Sequence, residues 1–110
     1  MTFIQLNELQ EVEPVDGFRA RFIHSETMTF AYWTIREGAV LPEHAHPHEQ
    51  VAHLLEGELE LIIDGRAMLL TPGMVAVVPS DVQHSGRAVT ECRVLDVFCP
   101  VREDLRDFEP

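Results

Sequence analysis

The stretch GAVLPEHAHPHEQ, residues 38–50, decides the fold and contains three of the six histidines in the chain. Imidazole is the commonest metal ligand, and alternate residues of an extended segment point to one face. His44 and His46 are therefore predicted to take neighbouring positions on one divalent ion, with Gln50 following at ligand spacing. The alternative is a solvated polar loop, since histidine beside proline and glutamate is often an ordinary surface residue. The choice depends on whether the rest of the chain forms a rigid cup around these side chains.

The composition is that of an ordinary globular protein. The chain has 110 residues, of which 45% are hydrophobic and 25% charged, and we expect one domain over residues 1–110. A formal net charge of −11 disfavours nucleic acid and anionic membranes as partners, because like charges repel. A small anionic substrate is still compatible with this charge, since a metal ion or an arginine inverts the field inside a pocket.

Cys92 and Cys99 are the two cysteines, and a spacing of seven places them on opposite faces of one strand. A disulfide between them is therefore not expected. We find no apolar run near the roughly 20 residues of a membrane span and no signal-peptide pattern at the N-terminus. Together with reduced cysteines, this predicts a cytoplasmic location.

Short runs of β-branched and aromatic residues alternate with turn residues at intervals of about ten residues. Helical periodicity is nearly absent, apart from one short turn over residues 102–105. We predict strands over residues 18–23, 27–36, 51–55, 58–63, 66–70, 74–78, 84–89 and 91–98, with an Asp64-Gly65 hairpin. The pattern indicates an all-β sandwich or barrel. We divide it into an N-terminal extension or strand (1–17), a barrel (18–99) and a C-terminal tail (100–110).

Two spaced motifs resemble those of the cupin superfamily. The first family motif is G-x5-H-x-H-x3-E-x6-G. It is matched here, with glutamine in place of glutamate, by Gly38, His44, His46, Gln50 and Gly57. The resemblance implies a cupin-type jelly-roll β-barrel, also called a double-stranded β-helix.

The second family motif, G-x5-P-x-G-x2-H-x3-N, is matched by Gly73, Pro79 and His84. Asp81 stands in place of its second glycine, and Ala88 in place of its asparagine. The resemblance implies one divalent ion, either Zn, Ni, Fe or Mn. Its implied ligands are His44, His46, Gln50 and His84.

Glutamine at position 50 affects the expected chemistry. A neutral amide leaves the full charge of the ion, which raises its Lewis acidity, and it disfavours an iron oxygenase that needs two histidines and a carboxylate. Gln50 and Ala52 share an inward strand face, whereas His53 points the other way. His24 and His48 have no place in the motifs, and we predict that they are surface or rim residues.

The last predicted strand places Asp96 and Phe98 on the same face as Cys92 and Val94. A carboxylate among inward apolar neighbours is costly unless it is paired or functional. One alternative is a structural ion pair between Asp96 and Arg102 that closes the barrel mouth. The other is a catalytic Asp96 facing the metal cavity, with Arg102 at the rim for an anionic group.

Three segments, residues 44–50, 55–60 and 96–104, are together similar to the KdgF family of pectin-degradation cupins. The resemblance implies a metal-dependent, isomerase- or lyase-type enzyme that linearises 4,5-unsaturated monouronates from pectin and alginate breakdown. Asp96 is implied to move a proton, Arg102 to bind the carboxylate of the small sugar acid, and Phe98 to pack against the sugar ring.

Two other functions remain open. The first is another metal-dependent cupin enzyme, either a dioxygenase or a lyase; the second is a non-catalytic sugar- or ligand-binding cupin. We also expect a homodimer, to which residues 1–17 supply a strand by sheet augmentation.

Overall fold

Alternation of buried and exposed residues along short strands produces two sheets that face each other across a shared interior. In the computed structural model, residues 1–108 are described, and they contain ten strands and two short 3₁₀ helices. The strands are β1 (Val12–Val15), β2 (Phe18–His24), β3 (Thr29–Ile35), β4 (Val40–His44), β5 (Glu49–Glu56), β6 (Leu59–Ile63), β7 (Arg66–Leu70), β8 (Val75–Val78), β9 (His84–Ala88) and β10 (Cys92–Cys99). The 3₁₀ helices are Leu6–Glu8 and Glu103–Phe108. No helix in this part of the chain is long and apolar enough to cross a membrane.

The strands pair in an antiparallel manner. The larger sheet has the order β1-β2-β3-β10-β5-β8, and the smaller one has the order β4-β9-β6-β7. After β3, consecutive strands alternate between the two sheets except for the β6–β7 hairpin, which lies within the smaller sheet; this arrangement is that of a jelly roll. The predicted all-β jelly-roll fold is confirmed.

The eight predicted strands are present with boundaries shifted by a residue or two. β1 lies in the segment 1–17, which was expected to be an extension or a strand, and β4 is an addition. Pro42 and Glu43 remove the apolar alternation that would have revealed this strand. It lies at an edge of the smaller sheet, where a residue without a backbone N–H is tolerated. Cys92 and Cys99 are both free, the first buried and the second exposed, as their spacing predicted.

Two turns explain details of the motifs. Asp81 has a positive φ of 64° at the place where the cupin pattern has glycine, a conformation that aspartate tolerates better than most residues. Its N–H donates to the His46 carbonyl oxygen at 2.9 Å, which ties the two motif loops together. Gly57 has a φ of 89°, and a Cβ there would collide with the Glu91 carbonyl oxygen, so the motif glycine is required.

The two ends of the barrel differ in content. One end is filled by an apolar cluster that includes Ile35, Leu54, Leu70 and Val94, each at most 3% exposed. The other end holds a cavity of about 450 Å³, whose lining also includes Ile35 and Val94 of that cluster. Strands β5 and β10 run along both regions, so the same inward-facing register supplies core residues at one end and cavity residues at the other.

Candidate metal centre and active site

Three histidines converge at the open end of the smaller sheet. The last residue of β4, His44, is the register partner of the first residue of β9, His84. His46 follows two residues after β4, and its ring centroid lies 4.9 Å from that of His84. Ligand nitrogens of the three side chains all lie within 4.8 Å of one another. The histidines on which the metal prediction depends are thus brought together, although their sequence positions span two distant strands.

Backbone carbonyls set the orientation of each ring. A carbonyl oxygen only accepts hydrogen bonds, so the Nδ1 atom facing it must carry the proton, and Nε2 is left free to bind a metal. The Nδ1 atoms of His44, His46 and His84 bond to the carbonyl oxygens of Pro42, His48 and Val82, at 2.8, 3.0 and 2.9 Å respectively. Nε2 of His84 is buried and has no hydrogen-bond partner among the described residues, as expected of an atom meant for a metal.

Gln50 faces the same point. Its Oε1 atom lies 3.2 Å from Nε2 of His46. With Nδ1 of His46 protonated, these are two acceptors in contact, an arrangement that a shared cation would stabilise. Two atoms bound at about 2.1 Å to one ion stand about 3.0–3.4 Å apart in octahedral or tetrahedral geometry. The His46 nitrogen and the Gln50 oxygen are thus spaced like two ligands of one ion, and the ligand nitrogens of the other two histidines lie close to the same point.

Burial keeps the imidazoles of His46 and His84 neutral. It lowers the pKa of His46 to about 4, and the charges of Arg102 and His84 act in the same direction. Burial also lowers the pKa of His84, against the opposing effect of its bond to the Val82 carbonyl. Since a neutral imidazole is the form that binds a metal, the site is ready to accept an ion near neutral pH.

Asp96 lies beside this group on β10. Its neighbours across the sheet are Ala52 on β5 and Ala31 on β3, whose small side chains leave room around the carboxyl group. Asp96 is 8% exposed, and its Oδ1 atom has no hydrogen-bond partner among the described residues. Burial raises the pKa of Asp96 to about 6, although the Gln50 amide, the Trp33 indole and Arg102 oppose the shift. A carboxyl group with this pKa exchanges protons readily near neutral pH.

Arg102 has a partner other than Asp96. Its Nε and Nη2 atoms donate to the two carboxylate oxygens of Asp104 at 2.9 and 2.7 Å, and its guanidinium carbon lies 4.7 Å from the ring centre of Phe98. Its backbone N–H donates to Thr29 Oγ1 at 2.8 Å. The expected structural alternative, an Asp96–Arg102 ion pair, is therefore not formed in the described residues, and Asp96 stays available within the cavity.

Asp104 was given no role from the sequence. Its two-point bond to Arg102 lowers the pKa of Asp104 and fixes the guanidinium plane over Phe98. The only sequence signal for it was its place in the C-terminal segment 96–104, because the pairing depends on how the chain turns after β10.

Phe98 is buried at 3% exposure and packs edge-on against His46, with ring centroids 5.7 Å apart. One of its faces already carries Arg102. This geometry differs from the expected stacking of a sugar on an open aromatic ring, and it makes Phe98 a support for two polar side chains.

The remaining histidines lie outside the three-histidine group. His48 is partly buried beside His46, with ring centroids 5.6 Å apart. His24 lies on β2, where its Nδ1 atom is 2.8 Å from Thr29 Oγ1. His53 is half-buried and points away from the cavity, on the opposite strand face from Ala52.

The cavity combines these polar groups with apolar walls that include Trp33, Leu61 and Val78. Its volume of about 450 Å³ is within the range of sites for small molecules. Residues 31–98 match the family described as the cupin domain. The chain belongs to the cupin family.

Comparison with individual proteins shows which members of the cupin family this chain is similar to. The chain is 28% identical over 93 residues to the pectin degradation protein KdgF of Dickeya dadantii strain 3937, covering 82% of this chain and 84% of that protein. The solved structure of KdgF from Halomonas sp. superposes with a TM-score of 0.89 at 25% identity, covering 96% of this chain and 98% of that one. The predicted resemblance to small KdgF-like cupins is confirmed.

A second relative is L-ectoine synthase of Thermobifida fusca strain YX. The chain is 38% identical to it over 55 residues, which is 48% of this chain and 41% of that enzyme. This match spans less than half of the ectoine synthase, whereas the KdgF match spans most of both proteins.

Proposed function

We propose that the protein converts 4,5-unsaturated monouronates from pectin and alginate breakdown into the linear, ketonised form. The observation that supports this most strongly is the position of Asp96: a buried carboxyl group without a partner for Oδ1, in the same cavity as three converging histidines. The similarity to KdgF proteins over most of the chain supports the same substrate class.

In this proposal His44, His46, His84 and Gln50 hold one divalent ion, either Zn, Ni, Fe or Mn. When bound, the ion would supply Lewis acidity towards substrate oxygens and so stabilise developing negative charge.

The reaction is an isomerisation, so no atoms are gained or lost. The substrate is a cyclic hemiacetal whose ring oxygen is attached to the C4=C5 double bond. Removal of the C1 hydroxyl proton forms the C1 aldehyde as the bond between C1 and the ring oxygen breaks. The released electron pair stays on that oxygen as a C5 enolate, and protonation at C4 then gives the neutral 5-keto product.

Asp96 accepts the C1 hydroxyl proton and returns a proton to C4. With a pKa of about 6, its carboxyl group can act in both directions near neutral pH. The apolar walls around it limit access of water, which keeps the transferred proton within the site.

Arg102 binds the substrate carboxylate. Asp104 occupies Nε and one N–H of Nη2, so the other guanidinium edge is left for a second anion. Asp104 and Phe98 fix that edge in place, and we assign them the task of positioning Arg102.

The experiment that tests the proposal follows the ultraviolet absorbance of the conjugated double bond in a lyase-derived unsaturated monouronate. We expect the purified protein to accelerate its loss over the spontaneous rate. Chelator should abolish the acceleration, and one of the four metals should restore it. Tight binding without turnover would instead indicate a ligand-binding cupin, and oxygen uptake with iron would indicate a dioxygenase. Either outcome with fully metal-loaded protein would overturn the proposal.

A further inference from the structure

The single tryptophan of the chain, Trp33, lies on β3 and lines the cavity. It is the register partner of Val94 on β10, whereas Asp96, two residues further along β10, is the partner of Ala31. Trp33 and Asp96 are therefore diagonal neighbours on the inner face of the larger sheet. Diagonal neighbours lie about 7–8 Å apart, which is within reach of an aromatic side chain. The small side chain of Ala31 leaves room for this approach.

Two aromatic residues of β2 hold the indole ring in place. Phe18 and Phe22 pack edge-on against Trp33, with ring centroids 5.9 and 5.6 Å apart and interplanar angles of 85° and 82°. This arrangement is favourable because the positive edge of one aromatic ring meets the negative face of the other. The orientation of the indole is thus set by packing, and its N–H is not needed for that purpose.

One donor and one acceptor are left unpaired at this place in the cavity. Nε1 of Trp33 is buried without a hydrogen-bond partner among the described residues, and so is Oδ1 of Asp96. The indole opposes the rise that burial causes in the pKa of Asp96, because its N–H lies near the carboxyl group. Buried indole N–H groups usually have a partner. The two atoms together therefore indicate a site for a ligand group that contacts both.

A hydroxyl group is the ligand group that satisfies both atoms. An indole N–H only donates and an ionised carboxylate only accepts, so the group between them must accept from one and donate to the other. A carbonyl oxygen would satisfy only Trp33, and an ammonium group would satisfy only Asp96. Among the groups of a sugar acid, this requirement selects a hydroxyl.

We propose that Trp33 binds the C1 hydroxyl of the substrate, with Nε1 donating to its oxygen while its proton points to Oδ1 of Asp96. This inference rests on the proposed function, in which Asp96 removes that proton. As the proton leaves, negative charge develops on the C1 oxygen before the aldehyde is complete, and a fixed donor stabilises this charge. Trp33 then both orients the hydroxyl and assists its deprotonation.

A direct hydrogen bond from Trp33 to Asp96 in the bound state is the competing interpretation. Trp33 would then only position the carboxylate, and loss of its N–H would affect every ligand in the cavity alike. If the N–H binds the substrate hydroxyl, its loss affects only ligands that carry this hydroxyl. The two interpretations are therefore separated by comparing ligands with and without it.

The test uses two ligands that cannot be converted because they lack the C4=C5 double bond: a saturated 4-deoxyuronate and its 1-deoxy counterpart, which has no C1 hydroxyl. Calorimetry on metal-loaded protein measures both affinities. Wild type should prefer the hydroxylated ligand by about 10-fold or more, since two hydrogen bonds depend on the hydroxyl. Trp33→Phe should reduce this preference about 3- to 10-fold by weakening only the hydroxylated ligand.

Leu61→Val is the control for lost apolar contact, because Leu61 lines the cavity from the smaller sheet and has no hydrogen-bonding group in its side chain. It should change both affinities by the same factor. Circular dichroism verifies folding. If Trp33→Phe does not fold, benzothienylalanine in place of tryptophan keeps the shape of both rings and replaces only the N–H by sulfur. Since the chain has one tryptophan, this replacement alters no other residue.

An equal preference in wild type and in the Trp33 variant, or the same affinity of wild type for both ligands, would overturn the inference. The first result would indicate a positioning role, and the second would indicate that only water meets the two atoms. Conversion of the unsaturated monouronate by wild type tests the proposed function separately. Absence of conversion with the Trp33-dependent preference intact would overturn the proposed function and support the hydroxyl site.

Discussion

The two ends of the barrel are built from the same strands and are buried to a similar degree, yet they contain opposite kinds of residue. On β5, Leu54 at the closed end is 1% exposed and Gln50 at the open end is 9% exposed. On β10, Val94 is 3% exposed and Asp96 is 8% exposed. The inward position therefore changes from an apolar core residue to a polar cavity residue over four residues on β5 and over two residues on β10.

The closed end stabilises the folded state through apolar packing, whereas the open end contains polar groups that destabilise it. A buried carboxyl group that lacks a full set of hydrogen bonds is unfavourable for folding, and such violations are expected at functional sites. Substitutions at the closed end should therefore reduce stability, and those at the open end should reduce metal binding or turnover.

The largest effect is expected from His84→Ala at the open end. It removes a buried ligand from the three-histidine group, so metal content and turnover should both fall. The loss of turnover should exceed the roughly 10- to 100-fold caused by removing only an outer hydrogen bond to a ligand. Elemental analysis and the absorbance assay on one preparation measure both quantities. His53→Ala, on the outward face, is the control and should keep its metal; full metal content in His84→Ala would contradict the assigned site.

At the closed end, Leu54→Ala should act on stability alone. It leaves a cavity in the apolar cluster, and we expect the free energy of unfolding to fall by about 2–5 kcal/mol. Urea denaturation measures this change, and the turnover of the folded variant should stay close to that of wild type. The neighbouring Leu55→Ala, at a 52% exposed position, should change stability by less than about 0.5 kcal/mol. A large loss of turnover in folded Leu54→Ala would break the distinction between the two ends.

A smaller effect is expected from Asp104→Asn at the cavity mouth. It weakens the two-point bond that holds Arg102, so KM should rise about three- to tenfold while kcat changes little. Steady-state kinetics separates the two constants. Asp107→Asn, an exposed residue of the same 3₁₀ helix, should leave both unchanged. An equal fall in kcat would show that Asp104 does more than position Arg102.

The smallest effect concerns acid sensitivity of the metal-free protein. Burial lowers the pKa of His46 from 6.5 to about 4, so the unfolded chain takes up a proton first as the pH falls. The contribution of His46 to stability is thus present above pH 6.5 and is lost progressively between pH 6.5 and 4. Thermal unfolding across this range should fall less steeply for metal-free His46→Gln than for metal-free wild type. Parallel curves would contradict the burial of this ring.

Local patterns account for what could be predicted from the sequence. The alternation of inward and outward residues predicted most strands, and fixed motif spacing predicted that His44, His46 and His84 converge. The edge strand β4 was missed as a strand because Pro42 interrupts its pattern.

Contacts that depend on the tertiary structure could not be predicted from local sequence patterns. The pairing of Arg102 with Asp104 and its position over Phe98 depend on the path of the chain after β10.

The most direct test of the central proposal is Asp96→Asn, with metal content and conversion rate measured on the same sample. Asn keeps the shape of the side chain but cannot carry the proton, so we expect unchanged metal content and a rate lower by about 10²- to 10⁴-fold.

The same variant also tests whether the buried Asp96 carboxylate destabilises the folded, metal-free protein. Burial raises the pKa of Asp96 from 3.8 to about 6, so above pH 6 the folded wild type holds an unfavourable charge that Asn removes. Metal-free Asp96→Asn at neutral pH should therefore unfold at a temperature no lower than that of metal-free wild type. Conversion within a few-fold of wild type by fully metal-loaded Asp96→Asn would contradict the assignment of Asp96 as the residue that moves the proton.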